Sequence, residues 1–134
     1  MLSHSRVTAV LPVLDLARAR HFYEETLGLP PAEPWPGQSA LYRIGGTRLE
    51  LEVHDDPWRH ANHTAASFEV DDIQREVGDL EGRGVVFEDY DLPELRTVGH
   101  VAQVGSLRTA WFKDSEGNVL SIYQDDGAAR SARP

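Results

Sequence analysis

The sequence predicts an α+β fold made of two tandem βαβββ modules, one over residues 5–56 and one over residues 62–125. Three observations support this. The glycine turn and strand GGTRLELEV at 45–53 recur as EGNVLSIYQ at 116–124. A strand followed by an aspartate and an amphipathic helical pattern also occurs once in each half. Finally, 134 residues, 40% of them hydrophobic, suffice for a single domain with its own core.

Each predicted helix begins at an aspartate. Asp15 follows an apolar strand at 7–13, and Asp72 follows the first strand of the second half. An aspartate in this position accepts hydrogen bonds from the first free N–H groups of a helix. Apolar residues then recur at helical spacing until Gly28 or Gly84 ends the pattern. The repeated order of strand, cap, helix and glycine indicates an internal duplication.

Three further segments are predicted from their composition. Four prolines between residues 30 and 36 exclude a central strand and favour an edge position. The connection YDLPELRTVGHVAQVGS at 90–106 is predicted to be loop with one short strand, and long connections of this kind often contact ligands. Residues 126–134 are predicted to be a disordered tail.

Composition and charge exclude several functions. The chain has no cysteine, which rules out disulfides, thiolate metal sites and thiol catalysis. A net charge of −9 argues against nucleic acid as a partner, because binding phosphates needs clustered Lys and Arg. We find neither a leader pattern nor the roughly 18 consecutive apolar residues that a membrane span needs. We therefore expect a soluble, cytoplasmic protein with no membrane partner.

Strand alternation divides each predicted sheet into an apolar face, which packs on a helix, and a polar face. The polar faces carry Thr8 and Glu50 in the first half and Ser67, Ser121 and Tyr123 in the second. Such a face can simply meet water. In a duplicated βαβββ unit the sheet usually curls, and the polar face then lines a cleft. At one aligned position of this face the first half has a carboxylate, Glu50, where the second half has a hydroxyl, Ser121.

The motif FKDSEGNV at 112–119, the segment VLPVLDLARARHFYEETLGL at 10–29 and the duplication together resemble the vicinal oxygen chelate superfamily. That superfamily includes glyoxalase I, extradiol dioxygenases, fosfomycin-resistance transferases and bleomycin-resistance proteins. The resemblance covers about residues 6–125, with Ser115 in place of the proline usual in the motif. It implies a curled mixed sheet with helices on its outer face, and a homodimer. It does not define an activity, because the fold hosts unrelated functions.

The resemblance also identifies the four positions at which metal-dependent members hold their ion. They correspond here to Thr8, Glu50, Ala65 and Ser121. Only Glu50 is a good ligand, whereas a divalent cation needs three or more protein donors to be held against water. The sequence therefore predicts no metal cofactor at the usual site.

A shifted site for one divalent metal ion is the alternative. His60 and His63 form an H-x-x-H pattern, and His63 lies on the strand face that a metal would need. Together with Glu50 or Glu52 they could provide three ligands. The pattern binds metals well on a helix or tight turn, however, and this stretch has the composition of a linker. A solvated linker with two surface histidines is the other interpretation.

The cleft also contains aromatic residues. The family directs the side chain three residues before Asp114 inward, and this is Trp111; Thr109 shares its face. Trp111 and Tyr123 beside a polar floor could stack on a planar ligand. Core packing of Trp111, a subunit contact for Tyr123 and an internal pair of Arg48 with Glu50 are the alternatives. The predicted ligand-binding residues are Thr8, Glu50, Ser67, Thr109, Trp111, Ser121 and Tyr123.

These observations predict a metal-free protein, similar to the bleomycin-resistance type, that sequesters a natural product or antibiotic-like ligand. The alternative is an enzyme of the same superfamily, such as a lyase, an isomerase or a dioxygenase. It would be metal-dependent through His63 and Glu50, or metal-free with Glu50 as a general base.

Overall fold

The computed structural model describes residues 1–55 and 63–127. The described residues contain two α-helices and eleven strands, which confirms the predicted α+β class and its two βαβββ modules. They form two compact units. The first contains residues 1–55 together with 114–118, and the second contains residues 63–113 and 119–127. A short turn from the second half of the chain is therefore part of the first unit.

The first unit has a four-stranded sheet in the order β1-β4-β3-β2, with β1 and β4 parallel. Its elements are β1 (Thr8–Val13), α1 (Leu16–His21), β2 (Glu33–Trp35), β3 (Ser39–Ile44) and β4 (Thr47–Val53). As predicted, the Asp15 side chain caps α1 by accepting from the Arg18 N–H at 3.0 Å. A π-helical turn at Phe22–Thr26 extends the helix. The proline-rich stretch supplies β2, which lies at the sheet edge as expected.

The second unit repeats this order with a longer chain. Its elements are β5 (Thr64–Glu69), α2 (Ile73–Gly82), β6 (Phe87–Glu88), β7 (Asp91–Leu92), β8 (Leu95–Arg96), β9 (Ala102–Val104), β10 (Leu107–Lys113) and β11 (Val119–Asp125). The main sheet has the order β5-β11-β10-β6, and β9 also pairs with β10. The Asp72 side chain caps α2, as predicted, by accepting from the Arg75 N–H at 3.2 Å.

The apolar face of each sheet packs with the helix of its own unit, as strand alternation predicts. In the first unit the buried side chains include Leu11, Val13, Ala19, Tyr23, Tyr42, Leu49 and Leu51. In the second they include Ile73, Val77, Leu80, Phe87, Ala110, Phe112, Leu120 and Ile122. The polar faces lie on the opposite side of the same strands.

The connection at 90–106 is more ordered than predicted, and the expectation of a loop with one short strand is wrong. It contains the hairpin β7–β8, a bridge between Val98 and Val101, and β9. The bridge closes around Gly99 and His100, whose φ angles of 58° and 71° are both positive. Two consecutive positive φ angles characterise the tight turns of hairpins, and composition does not reveal such a turn when one of its residues is histidine.

His100 fixes this connection to the rest of the second unit. Its Nδ1 lies 2.9 Å from Asp89, its Nε2 lies 3.0 Å from Glu81, and its ring stacks on Phe87. The hydrogen bond to Asp89 is the main reason that the pKa of His100 is raised, and the Glu81 carboxylate adds to it. The loop histidine therefore has a structural role in this unit.

The predicted tail and the predicted linker are described only in part. The side chain of Asp126, at the start of the predicted tail, accepts two hydrogen bonds from Arg108, and residues 128–134 lie outside the described residues. His60 in the predicted linker also lies outside them. No helix of the described chain is both long enough and apolar enough to span a membrane.

Candidate functional site

The motif FKDSEGNV contains the turn at 114–118, whose side chains hydrogen-bond to the rest of the first unit. Asp114 is 6% exposed, and its carboxylate accepts four hydrogen bonds. They come from the Tyr23 hydroxyl at 2.6 Å, the N–H groups of Glu116 and Asn118 at 2.8 Å, and the Asn118 side-chain amide at 2.9 Å. The same amide donates to the Pro12 carbonyl at 2.9 Å. Burial and the adjacent Asp114 carboxylate raise the pKa of Tyr23 well above its usual value, so its hydroxyl remains a donor.

Glu116 makes the second set of contacts from this turn. Its side chain is inaccessible to solvent and accepts from the N–H groups of Leu14 and Asp15, both at 2.9 Å. The Arg18 guanidinium donates to it at 2.7 and 3.0 Å, and the Ser115 hydroxyl donates at 2.9 Å. Burial opposes its charge, but these hydrogen bonds outweigh burial and lower the pKa of Glu116 to about 2. The part of the sequence that most resembles the family is thus structural, and it does not supply the site.

The polar face of the first sheet carries Thr8 and Glu50, as predicted. The parallel register places Thr8 beside Arg48 and Val10 beside Glu50. On its other side Glu50 pairs with Leu41. Glu50 is half-buried, and its carboxylate forms no hydrogen bond or ion pair with any described residue. The internal pair of Arg48 and Glu50 considered above is therefore not formed.

The polar face of the second sheet brings the other five predicted residues into two adjacent rows. Trp111, Ser121 and Ser67 form one row across β10, β11 and β5, and Thr109 beside Tyr123 begins the next. The hydroxyls of Ser67 and Ser121 are 2.6 Å apart and hydrogen-bonded. Ser121 and Thr109 are buried polar residues, whereas Trp111 and Tyr123 are half-buried.

Trp111 is fixed from two sides. Its indole N–H donates to the Thr64 hydroxyl at 3.2 Å. Its ring meets that of Tyr90 edge-on, with centroids 5.4 Å apart and planes at 88°. The buried neighbours Ala110 and Phe112 point to the opposite face of the strand, so Trp111 does not belong to the core. We call the pair of Trp111 and Tyr90 the aromatic corner.

Two residues of this face were missed in the sequence. Tyr90 lies in the long connection. It reaches Trp111 because β6 pairs with β10 and places Glu88, two residues before Tyr90, opposite Trp111. Thr64 was missed because β5 contains a bulge. Thr64 pairs with Val119, but Ala66 pairs with the next residue of β11. The extra residue reverses the side-chain direction, so Thr64, and not Ala65, occupies the position that corresponds to Thr8.

Neither polar face carries a donor set that fits a divalent metal ion. The first unit offers one carboxylate, Glu50, and the neutral hydroxyl of Thr8. The second offers the hydroxyls of Thr64 and Ser121, which already hydrogen-bond to neighbouring side chains. Neutral hydroxyls are poor replacements for imidazole and carboxylate ligands. Within residues 1–55 and 63–127, no three His, Asp or Glu side chains are grouped to hold a metal ion.

The alternative site through the H-x-x-H pattern stays a prediction. His63 is exposed, and its Nδ1 lies 3.1 Å from the carbonyl oxygen of Thr64. His60 lies outside the described residues.

Solved structures with the same fold include three informative ones. A glyoxalase family protein from Bacillus anthracis is 17% identical over 91% of this chain and 95% of its own, with a TM-score of 0.72. The antibiotic binding protein TnmS3 from Streptomyces sp. CB03234 is 24% identical over 93% and 98%, with a TM-score of 0.62. The fosfomycin resistance protein FosX from Mesorhizobium loti is 14% identical over 98% and 100%, with a TM-score of 0.64. At these identities the likeness establishes the fold alone.

Among curated proteins, none matches this chain significantly. The model of the Glyoxalase/Bleomycin resistance protein/Dioxygenase superfamily matches residues 5–122, which is nearly the whole chain. The match agrees with the duplicated βαβββ modules and with the turn at 114–118. This chain therefore belongs to the Glyoxalase/Bleomycin resistance protein/Dioxygenase superfamily.

Proposed function

We propose that this protein binds a small organic molecule, without a metal ion, on the polar faces of its sheets, as an antibiotic-binding or bleomycin-resistance protein would. The observation that carries the proposal is the aromatic corner of Trp111 and Tyr90 beside the hydroxyl pair of Ser67 and Ser121. Planar rings and a few fixed polar groups are the usual lining of small-molecule sites.

The contacts of Trp111 favour binding because they hold the ring in place before a ligand arrives. The hydrogen bond to Thr64 and the edge-on contact with Tyr90 restrict both of its side-chain torsions. A ring that is already ordered loses little conformational entropy when a planar ligand stacks on it. An aromatic contact of this kind also adds attraction beyond the apolar area that it buries.

Two structural neighbours support the class of ligand. One is an antibiotic binding protein and another is a fosfomycin resistance protein. One name states antibiotic binding and the other states resistance to fosfomycin. A ligand of that class, with planar and polar parts, suits the face described above. Dimerisation, which the family resemblance implies, stays a prediction.

The second candidate is a metal-free enzyme with Glu50 as general base. The observation that favours it is a half-buried carboxylate with no partner among the described residues. A base of this kind abstracts a proton when it lies within hydrogen-bonding distance of it. Glu50→Gln separates the two functions, because a binding protein retains affinity with an amide at this position, whereas an enzyme loses turnover.

Replacing the aromatic corner tests the proposed function. We expect Trp111→Ala to weaken binding of a planar ligand by about 1–3 kcal/mol, since a stacking anchor is lost. The measurement is isothermal titration calorimetry with two probes, bleomycin and the uncharged naphthalene-2-carboxamide.

Phe22→Ala is the matched control, because Phe22 is a half-buried aromatic residue of the turn that extends α1 and does not belong to either sheet. It is expected to leave both affinities unchanged. The proposal fails if neither probe binds the wild-type protein, or if Trp111→Ala binds as tightly as the wild type.

A further inference from the structure

A cavity of about 570 Å³ in the first unit is lined by three arginines, although the chain as a whole is acidic. We call it the arginine pocket; its cationic residues are Arg6, Arg43 and Arg48, and Ser5 and Thr47 add two hydroxyls. All of these residues belong to the segment just before β1 or to the β3–β4 hairpin. None of the three arginines is among the predicted ligand-binding residues.

The backbone brings these arginines together. A tight turn at Gly45 and Gly46, both with positive φ, joins β3 to β4 and places Arg43 directly opposite Arg48. The parallel register of β1 with β4 places Thr8 beside Arg48, and Arg6, two residues before Thr8, lines the same cavity. Like charges that face each other across a strand pair destabilise a sheet. An anion between the guanidinium groups would remove this repulsion.

The charge in the pocket is neutralised only in part by the described residues. Arg43 pairs with Glu33 at 2.9 Å, but neither Arg6 nor Arg48 forms an ion pair with any described residue. The Nε–H of Arg48 is buried and has no hydrogen-bond partner among the described residues. A buried donor without an acceptor is costly, and most such groups in proteins are satisfied by water or by a bound ion. The pocket is therefore lined by two guanidinium groups without an anionic partner among the described residues, and one of them, Arg48, has a buried N–H without an acceptor.

We infer that the arginine pocket binds an oxyanion of a small molecule, either a carboxylate or a phosphate group. The inference rests on the proposed function, because Arg48 pairs with Thr8 of the predicted ligand-binding face. A guanidinium group binds such anions through two parallel N–H donors, which a neutral ligand group does not match. The substrate class is thus an organic acid or a phosphorylated or phosphonylated compound.

The experiment uses inorganic phosphate and acetate as probes. The arginine Nε–H signals of ¹⁵N-labelled protein are followed by NMR during each titration. We expect a saturable shift of the Arg48 signal with at least one anion. Arg48→Gln should raise the dissociation constant, read from the signal of Arg6, at least about tenfold, which corresponds to the loss of one charge-assisted hydrogen-bonded contact.

Two variants complete the design. Arg6→Gln removes a charge at an exposed residue outside the strands, so its effect on anion affinity is free of any folding defect. Arg75→Gln is the matched control, because Arg75 is an exposed residue of α2 in the second unit and the charge change is the same. Arg6→Gln is expected to weaken anion binding several-fold, and Arg75→Gln is expected to leave it unchanged.

The outcomes separate the two proposals. Tighter binding of phosphate than of acetate assigns a phosphate-type ligand, and the reverse assigns a carboxylate. A shift that does not saturate, or that Arg75→Gln reduces as much as Arg48→Gln, means general charge screening and overturns the inference. If naphthalene-2-carboxamide still binds through Trp111 in that case, the proposed function stands without the anion site. If anions bind but neither organic probe does, the anion site stands and the proposed function fails.

Discussion

Glu116→Ala is expected to lower the free energy of unfolding by about 3 kcal/mol. The substitution removes the acceptor of two backbone N–H groups at the start of α1 and the partner of the Arg18 guanidinium. Arg18 is half exposed and can turn to water, which keeps the loss at the lower end of the range for broken buried ion pairs. Urea denaturation followed by circular dichroism measures the change.

Asp79→Ala provides the control for Glu116→Ala. Asp79 is an exposed residue of α2, and the substitution removes the same charge. Its cost is expected to stay within about 0.5 kcal/mol. An equally small cost for Glu116→Ala would show that the turn does not stabilise the first unit.

The same carboxylate predicts a dependence on pH. The pKa of Glu116 is about 2 in the folded protein, against an ordinary value of 4.5. A depressed pKa contributes stability that is fully present above about pH 4.5 and disappears as the pH falls through about 2. Glu116→Gln cannot titrate, so the difference in stability between it and the wild type is expected to shrink over this range. A difference that is constant from neutral to acid pH would contradict the assignment.

Asp114→Ala is expected to destabilise the protein by about 4 kcal/mol, the largest effect of any substitution proposed here. The carboxylate accepts four hydrogen bonds, and its loss leaves the buried Tyr23 hydroxyl and two backbone N–H groups without an acceptor. Tyr23→Phe removes only one of these bonds and is expected to cost about 1–2 kcal/mol. Urea denaturation of both variants gives the comparison.

The control for Asp114→Ala is Asp72→Ala. It removes an exposed aspartate that caps α2, with an expected cost of about 1 kcal/mol. The interpretation of the turn as a buried anchor would be wrong if Asp114→Ala cost no more than the loss of this cap.

Much of the fold could be predicted because the relevant signals are local. Asp15 and Asp72 cap the two helices as their positions in the sequence indicate. Strand alternation also assigned Thr8, Glu50, Ser67, Ser121 and Tyr123 to the polar faces on which they lie, and the family resemblance assigned Trp111 and, with it, Thr109. Local signals failed where pairing decides the conformation. The bulge that directs Thr64 towards Trp111 depends on the register of β5 with β11, and the types of its residues do not predict it.

The remaining features of the site depend on contacts between segments that are distant in the chain. Tyr90 joins Trp111 only through the pairing of β6 with β10. The arginine pocket depends on the parallel register of β1 with β4, which places Arg6 near Arg48. The motif around Asp114 identified the family correctly, but its buried hydrogen bonds show that it stabilises the fold. Sequence similarity therefore located the fold better than the site.

The central claim is that this member of the superfamily binds its ligand without a metal ion. The most direct test is elemental analysis of untagged protein, purified without chelator, incubated with Zn²⁺, Ni²⁺ and Mn²⁺ and then desalted. Because one carboxylate and neutral hydroxyls hold a divalent ion poorly, we expect less than about 0.1 metal ion per chain. One bound metal ion per chain, lost in Glu50→Gln, would contradict the account.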